Sequence, residues 1–320
     1  MIDKGKQRLE RGPALQPGEL IAPGYEVIEH MRRGKRLDVY DAWSVERTCR
    51  CIAKSIAPDR LDEEKARTKL IGEGELLMSL THPNIVRAYE LVENDAGTPV
   101  LILETLTGRT VSHLIDEFED GMDLPDVVWL GIHLCSAVAY LHNHGFLHLD
   151  VKPDNVISDG GRARLIDLSI SGTEGPSSAG AGTYDYLAPE QARGDNVSAA
   201  TDVWGIGITL YEALTGTVPF EPDDDGDDDD AVSSSNGYDD SSDYTESSDY
   251  TDASDDFDPD VYPQATERAP SVATRRDGLP NTVVEIIDAC LEPAQADRPS
   301  VEVLADRLAR ASGVNPREIP

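Results

Sequence analysis

The chain is short of basic residues, cysteine and aromatic rings, and it holds no long apolar run. No stretch of about 18 apolar residues occurs, which argues against a membrane span, and the opening MIDKGKQRLERGP lacks the apolar core of a signal peptide. The expectation is a cytoplasmic protein. Cysteine occurs only four times. Cys135 and Cys290 fall within apolar helical patterns, and the Cys49/Cys51 pair has no second pair to complete a zinc site, so all four read as small buried hydrophobes. Lys and Arg together number 28 against 61 acidic residues, for a net charge of -33. No basic stripe interrupts this, and the charge has the wrong sign for a nucleic-acid partner.

The acidity is general. Between residues 222 and 260 lie 17 acidic side chains, yet the rest of the chain remains strongly acidic without them. Lysine is scarce even among the cations, with 7 lysines to 21 arginines. An Asp-rich, lysine-poor surface is similar to that of proteins from salt-saturated cytoplasm, and a halophilic, haloarchaeal origin is the expectation. In molar salt, self-repulsion is screened within about 3 Å, so such a surface costs little there and becomes destabilising when salt is removed.

Between residues 25 and 104 the pattern is short strands around one helix: YEVIEHM, LDVYDAW and CIAKSI, a helix over 61–80, then VRAYELV and PVLILE, with a hairpin turn NDAG at 94–97. Past Leu106 and Gly108 the chain turns helical. Val127, Leu130, Leu134, Val138 and Leu141 recur at helical spacing, with Pro125 near the start and Gly145 beyond the end. Further helices are expected over 201–214, 282–291 and 300–311. The fold class is therefore α+β: an extension over 1–24, a small β-rich lobe over 25–106, a larger α-helical lobe over 107–312 and a tail over 313–320. Residues from 222 to about 263 include a tandem SSDYTESSDYTD and few aliphatics. They bury too little apolar surface to offset ordering entropy, and a disordered insertion is expected.

The run HLDVKPDN, from His148 to Asn155, carries chemistry. It offers a carboxylate, an amine and an amide at the spacing a phosphoryl-transfer site needs. Asp150 would accept the proton of an attacking hydroxyl, Lys152 would neutralise charge on the moving group, and Asn155 would hold a magnesium ion. Nearby His142, His144 and His148 lie close together and could suggest a metal site.

The order of motifs around this run resembles the eukaryotic-type protein kinase family, in its Ser/Thr branch, over roughly residues 25–311. The resemblance implies a bilobal protein-kinase-like fold, ATP and Mg2+ as cofactors and a protein substrate. Lys54 of IAKSI matches the lysine that contacts the α- and β-phosphates, and Glu73 matches its helix partner. Asp150 matches the base, Lys152 the lysine typical of Ser/Thr kinases, and Asn155 with Asp167 of DLS the metal ligands. Thr183 in GTYDYLAPE matches the substrate-loop threonine. Glu190 would pair with Arg298, and Asp202 would brace the catalytic loop. In the family pattern His142 and His148 are packing and hydrogen-bonding residues, which argues against a metal site among the three histidines. Met31, Val39, Ala53 and Ile157 match adenine-pocket positions, Leu103 the gatekeeper, and the backbone of Glu104 and Leu106 the adenine edge.

Departures from the family pattern are informative. The glycine-rich loop retains only Gly34, with Arg32 and Leu37 where glycines normally stand. Arg32, Arg33, Lys35 and Arg36 put four cations there, either contacting phosphate in place of backbone or simply solvated. Leu168 and Ser169 replace the second and third residues of DFG. Leu149 replaces the arginine that pairs with a phosphorylated activation loop, although Ser177 and Ser178 lie at plausible phosphosites. Gly72 and Gly74 flank Glu73 and should each cost the helix about 1 kcal/mol. Two functions compete: a Ser/Thr protein kinase, and a pseudokinase acting as a nucleotide-binding or scaffolding module. The acidic insertion reads as a solvated halophilic loop, a docking tail for a basic partner, or a phosphorylation substrate.

Overall fold

Alternation along the first strands explains the smaller lobe. The computed structural model describes residues 12–118, 121–220 and 262–312. Strands β1 (Leu20–Ala22), β2 (Tyr25–Arg33), β3 (Leu37–Ser44) and β4 (Cys49–Ile56) lead to helix α1 (Glu64–Ser79), then β5 (Ala88–Glu93) and β6 (Pro99–Glu104). They form one antiparallel sheet in the order β1-β2-β3-β4-β6-β5. Side chains alternate between its faces. Cys51, Ala53, Val100 and Ile102 enter a small core with Val27, Tyr40 and Ile21, while Ile56, Leu101 and Leu103 enter a large core on the opposite face. Strand β6 is buried on both faces because α1 covers the second one.

The sheet begins upstream of Tyr25. Ile21 and Ala22 are buried in the small core, Ala14 and Leu15 pack against it, and the Leu15 amide donates to the Tyr40 hydroxyl at 3.2 Å. These residues, assigned to an extension from the sequence, belong to the lobe because they cover its outer face.

The larger lobe starts with β7 (Arg109–Thr110), α2 (Val111–Asp116) and α3 (Leu124–Asn143). A hairpin of β8 (Val156–Asp159) and β9 (Arg162–Leu165) follows and pairs with β7. Next come β10 (Gly175–Pro176), α4 (Pro189–Arg193), β11 (Asn196–Val197) antiparallel to β10, α5 (Ala199–Thr215), α6 (Asn281–Cys290) and α7 (Val301–Ser312). Among the described residues α3 is long and apolar enough to cross a membrane by length and composition, but most of it is buried against α5 and α7. Ser198 caps α5 and Gly216, at φ 74°, ends it. Gly205 lets α5 approach the loop ahead of β8: a Cβ there would stand 2.9 Å from the Val151 carbonyl oxygen.

The large core is continuous between lobes, joining Leu70, Leu77 and Leu101 to Leu134, Val138, Ile206 and Leu210. Cys51, Cys135 and Cys290 are buried free thiols. Most of the expected disordered insertion lies outside the described residues. Its expected end does not: the Tyr262 ring lies tilted against Tyr184 with centroids 5.5 Å apart, and buried Gln264 donates to the Tyr184 carbonyl at 2.9 Å. Residues 262–265 therefore belong to the packed lobe.

Candidate active site

Helix α1 buries the stripe Ala66, Leu70, Glu73 and Leu77 against the sheet, so Glu73 is carried inward with the apolar residues around it. Its Oε1 accepts from Lys54 Nζ at 2.8 Å, and Asp167 Oδ1 lies 3.5 Å from the same ammonium. Burial alone would lower the Lys54 ammonium, but Asp167 and Glu73 outweigh it and hold it above its ordinary value. Glu73 is pushed up by burial and by Asp167, with Lys54 opposing. Burial also works against ionised Asp167, yet Lys54 and Ser169 hold it well below the usual carboxylate range.

The catalytic-loop residues form a closed network. Lys152 Nζ donates to Thr183 Oγ1 at 2.6 Å, and that hydroxyl donates to Asp150 Oδ1 at 2.7 Å. Asn155 Nδ2 donates to the carbonyl and to Oδ2 of Asp150, both at 2.9 Å. Asp202 reaches up from α5 and accepts the amides of His148 at 2.8 Å and Leu149 at 2.7 Å, and it pairs with His142 Nε2 at 2.8 Å. Leu149 at φ 68° and Asp167 at φ 60° sit in left-handed backbone. Each such residue costs roughly 1–3 kcal/mol, and here the surrounding hydrogen bonds hold it. The Ile166 amide, donating to the Asn155 carbonyl at 2.9 Å, ties the two loops together.

These residues fit a hard divalent cation. Asn155 commits its NH2 to Asp150, which leaves its amide oxygen as a ligand, and Asp167 supplies an ionised carboxylate. A groove lined by Arg32, Gly34, Val39, Lys54, Lys69 and Asp167 opens beside them.

Placement of the remaining expected residues is mixed. Val39 pairs with Lys54 across β3 and β4 and so shares its face. Ala53 does not. It is fully buried in the small core on the far side of the sheet, because successive strand residues point oppositely; Ile52, partly buried and paired with Leu103, stands on the Lys54 face instead. Met31 is about half exposed at the bulge between His30 and Arg32. Ile157 projects from β8 opposite to the buried Val156, and Leu106 is partly buried against the large core. Of the four loop cations, Arg33 turns away: it makes a two-pronged pair with Asp38 at 2.7 and 2.6 Å and donates to the Gly12 carbonyl. Arg36 pairs with Glu63 at 3.3 Å.

Three features escaped the sequence. Glu104 pairs with Arg164, whose Nη2 also reaches the Ile85 carbonyl at 3.1 Å, fastening the segment between lobes to the β8–β9 hairpin. Lys69 enters the groove one helical turn before Glu73, and that i, i+4 spacing was a usable signal. Buried Gln191 bonds to both loops of the site. Glu190 and Arg298 form the expected pair, at 2.7 and 2.9 Å, with the guanidinium 4.9 Å above the Trp204 ring.

A two-lobed fold with a lysine–glutamate pair, a loop carboxylate and an amide beside it defines the protein kinase class. The protein kinase domain family matches the chain over residues 25–308, and the chain belongs to that family. It is 29% identical over 216 residues to the probable serine/threonine-protein kinase PknB of Lactococcus lactis, covering 65% of this chain and 34% of that protein. It is 37% identical over 161 residues to the serine/threonine-protein kinase PknB of Mycobacterium leprae, covering 46% of this chain and 25% of that one. The chain thus spans about a third or less of these relatives' length. The PknI kinase domain of Mycobacterium tuberculosis superposes with a TM-score of 0.66 at 20% identity, over 93% of this chain and all of that one, and shows the shared fold.

Proposed function

We propose that the chain is a Ser/Thr protein kinase that transfers the γ-phosphoryl group of ATP to protein hydroxyls. The observation that carries this reading is the network of Asp150, Lys152, Asn155 and Thr183 closed by bonds of 2.6 to 2.9 Å. Asp150 accepts the hydroxyl proton, and Lys152 stabilises charge on the group in transit while Thr183 fixes its position. Lys54, oriented by Glu73, takes the phosphates nearer the nucleoside. Asn155 and Asp167 would hold Mg2+, which would supply positive charge to the phosphate oxygens. Val39, Ile52, Leu103 and Ile157 line the base pocket, and Glu104 and Leu106 offer it backbone groups. The domain boundaries follow: a smaller lobe to residue 106 and a larger one to 312. The acidic composition and free thiols support a cytoplasmic setting rich in salt.

A second reading, a pseudokinase that binds nucleotide without transfer, draws on the tight turn in which the Gly34 amide donates to the Leu37 carbonyl at 2.8 Å, with bulky Arg32 and Leu37 where glycines stand in the family. Incubation with labelled ATP and magnesium in molar potassium chloride separates them. Transfer by the wild type, reduced about 10²–10⁴-fold in Asp150→Asn and abolished in Asp167→Asn, supports catalysis. Bound nucleotide with no transfer supports the pseudokinase.

A further inference from the structure

Leu149 replaces the one cation with which the catalytic loop would grip a phosphorylated activation segment, yet in this structure the segment is docked. Its anchoring is neutral. Gln191, on the first turn of α4, is 3% exposed. Its Nε2 donates to the Leu149 carbonyl at 2.9 Å and to the Ala181 carbonyl at 3.0 Å, while its Oε1 accepts from the Ala188 amide at 3.1 Å. Both amide hydrogens are therefore spent on joining the catalytic loop to the activation segment. Its own backbone carbonyl receives the Gly180 amide at 2.9 Å, a second tie to the same stretch.

The two carbonyls that Gln191 holds are close to the reacting groups. The Leu149 carbonyl belongs to the peptide that enters Asp150, and Asp202 pins the other side of Leu149 through its amide at 2.7 Å. With N–H and C=O both fixed, the left-handed Leu149 has no freedom to rotate, and the Asp150 backbone inherits its orientation. Ala181 lies two residues before Thr183, the hydroxyl between Asp150 and Lys152. The intervening Gly182, at φ 143°, is pressed so near Leu187 that a Cβ would meet its Cδ2 at 2.6 Å. The segment cannot shift away from α4 without losing the Gln191 bonds.

We infer that Gln191 is a positioning residue: its side-chain amide holds Thr183 in register with Asp150 and makes docking of the activation segment independent of phosphorylation. A neutral amide suits this place because it must supply two donors to two carbonyl oxygens inside a buried space, where an unpaired charge would be costly. This inference rests on the proposed kinase activity for its kinetic readout, but not for its structural one.

Substitution of Gln191 by Glu tests it. The shape is kept, but an ionised carboxylate would face two carbonyl oxygens. The titratable groups bordering the same space are Asp150 from the catalytic loop, Asp202 from α5 and Tyr186 from the activation segment, with Lys152 reaching Thr183 from the other side. Above neutral pH, Gln191→Glu is expected to lower kcat by about tenfold or more with KM for ATP unchanged. The loss is expected to shrink as the medium is acidified and the carboxyl regains a proton to donate. Gln191→Met, which has no donor at any pH, is expected to be slow throughout. Phosphatase-treated wild type is expected to keep its rate. Amide exchange over residues 177–187 is expected to quicken in both variants, while α3 stays protected.

A pH–rate profile of Gln191→Glu parallel to the wild type, or a rate abolished by phosphatase, overturns the inference and leaves the kinase reading intact. A wild type that transfers no phosphate overturns the kinase reading alone. In that case unchanged exchange over 177–187 in both variants overturns the positioning role, and faster exchange upholds it.

Discussion

Glu212 of α5 is partly buried and accepts the Tyr186 hydroxyl at 2.7 Å. Burial lifts its carboxyl, the Tyr186 bond opposes, and Asp154, Asp116 and Asp185 add to the lift, bringing it to about 7. A raised value means that the folded state holds the proton more tightly than the unfolded chain does. The stabilisation is complete below the ordinary glutamate value and is lost as the pH rises through about 7. Glu212→Gln should therefore match the wild type near pH 4 and exceed it by up to about 3 kcal/mol near pH 8, as read from urea unfolding at the two pH values. Identical pH dependence in both proteins would remove Glu212 as the source. At this scale the meeting of Lys54 with Glu73 and Asp167, and of Asp150 with Asn155, was legible in the sequence, because the motifs set those side chains at fixed spacings. Ala53 was misplaced because a motif match does not say which face of a strand a residue takes. That is decided by the pleat and by which core stands on each side.

Helix α1 runs unbroken through both of its central glycines, and they are not equivalent. A Cβ at Gly72 would meet nothing within 4 Å, whereas one at Gly74 would stand 3.2 Å from Leu101 Cδ1 and 3.3 Å from Leu91 Cδ1. Gly72→Ala should stabilise the protein by roughly 0.5–1 kcal/mol, measured as a rise in unfolding midpoint, with Gly74→Ala gaining little or losing stability. Equal gains would mean that the contact around Gly74 yields freely. The helix itself was readable from its periodicity, but its relation to β5 and β6 was not, because sheet order depends on contacts between residues far apart in sequence. The same limit hid the Glu104–Arg164 pair, whose partners are 60 residues apart. It hid β1 as well, a three-residue strand too short to show alternation.

Across the whole molecule, the net charge of -33 sets the response to salt. Raising potassium chloride from about 0.1 M to molar concentrations contracts the screening length from about 10 Å to about 3 Å, so the melting temperature should climb steeply over that range. A flat profile would show that the acidic surface imposes little self-repulsion. Charge and composition were plain from the sequence alone. How the lobes adhere was not, since it depends on apolar residues of both entering one interior.

That shared interior has a consequence for how the protein comes apart. Leu70, Leu77 and Leu101 from the smaller lobe pack into the same continuous core as Leu134, Val138 and Ile206 from the larger. Cutting the chain near residue 106 would leave each half with an uncovered apolar wall, so neither half is expected to fold on its own. Calorimetry should accordingly show one cooperative transition, with the van't Hoff enthalpy close to the calorimetric one. Two resolved peaks would mean that the wall separates before either half melts.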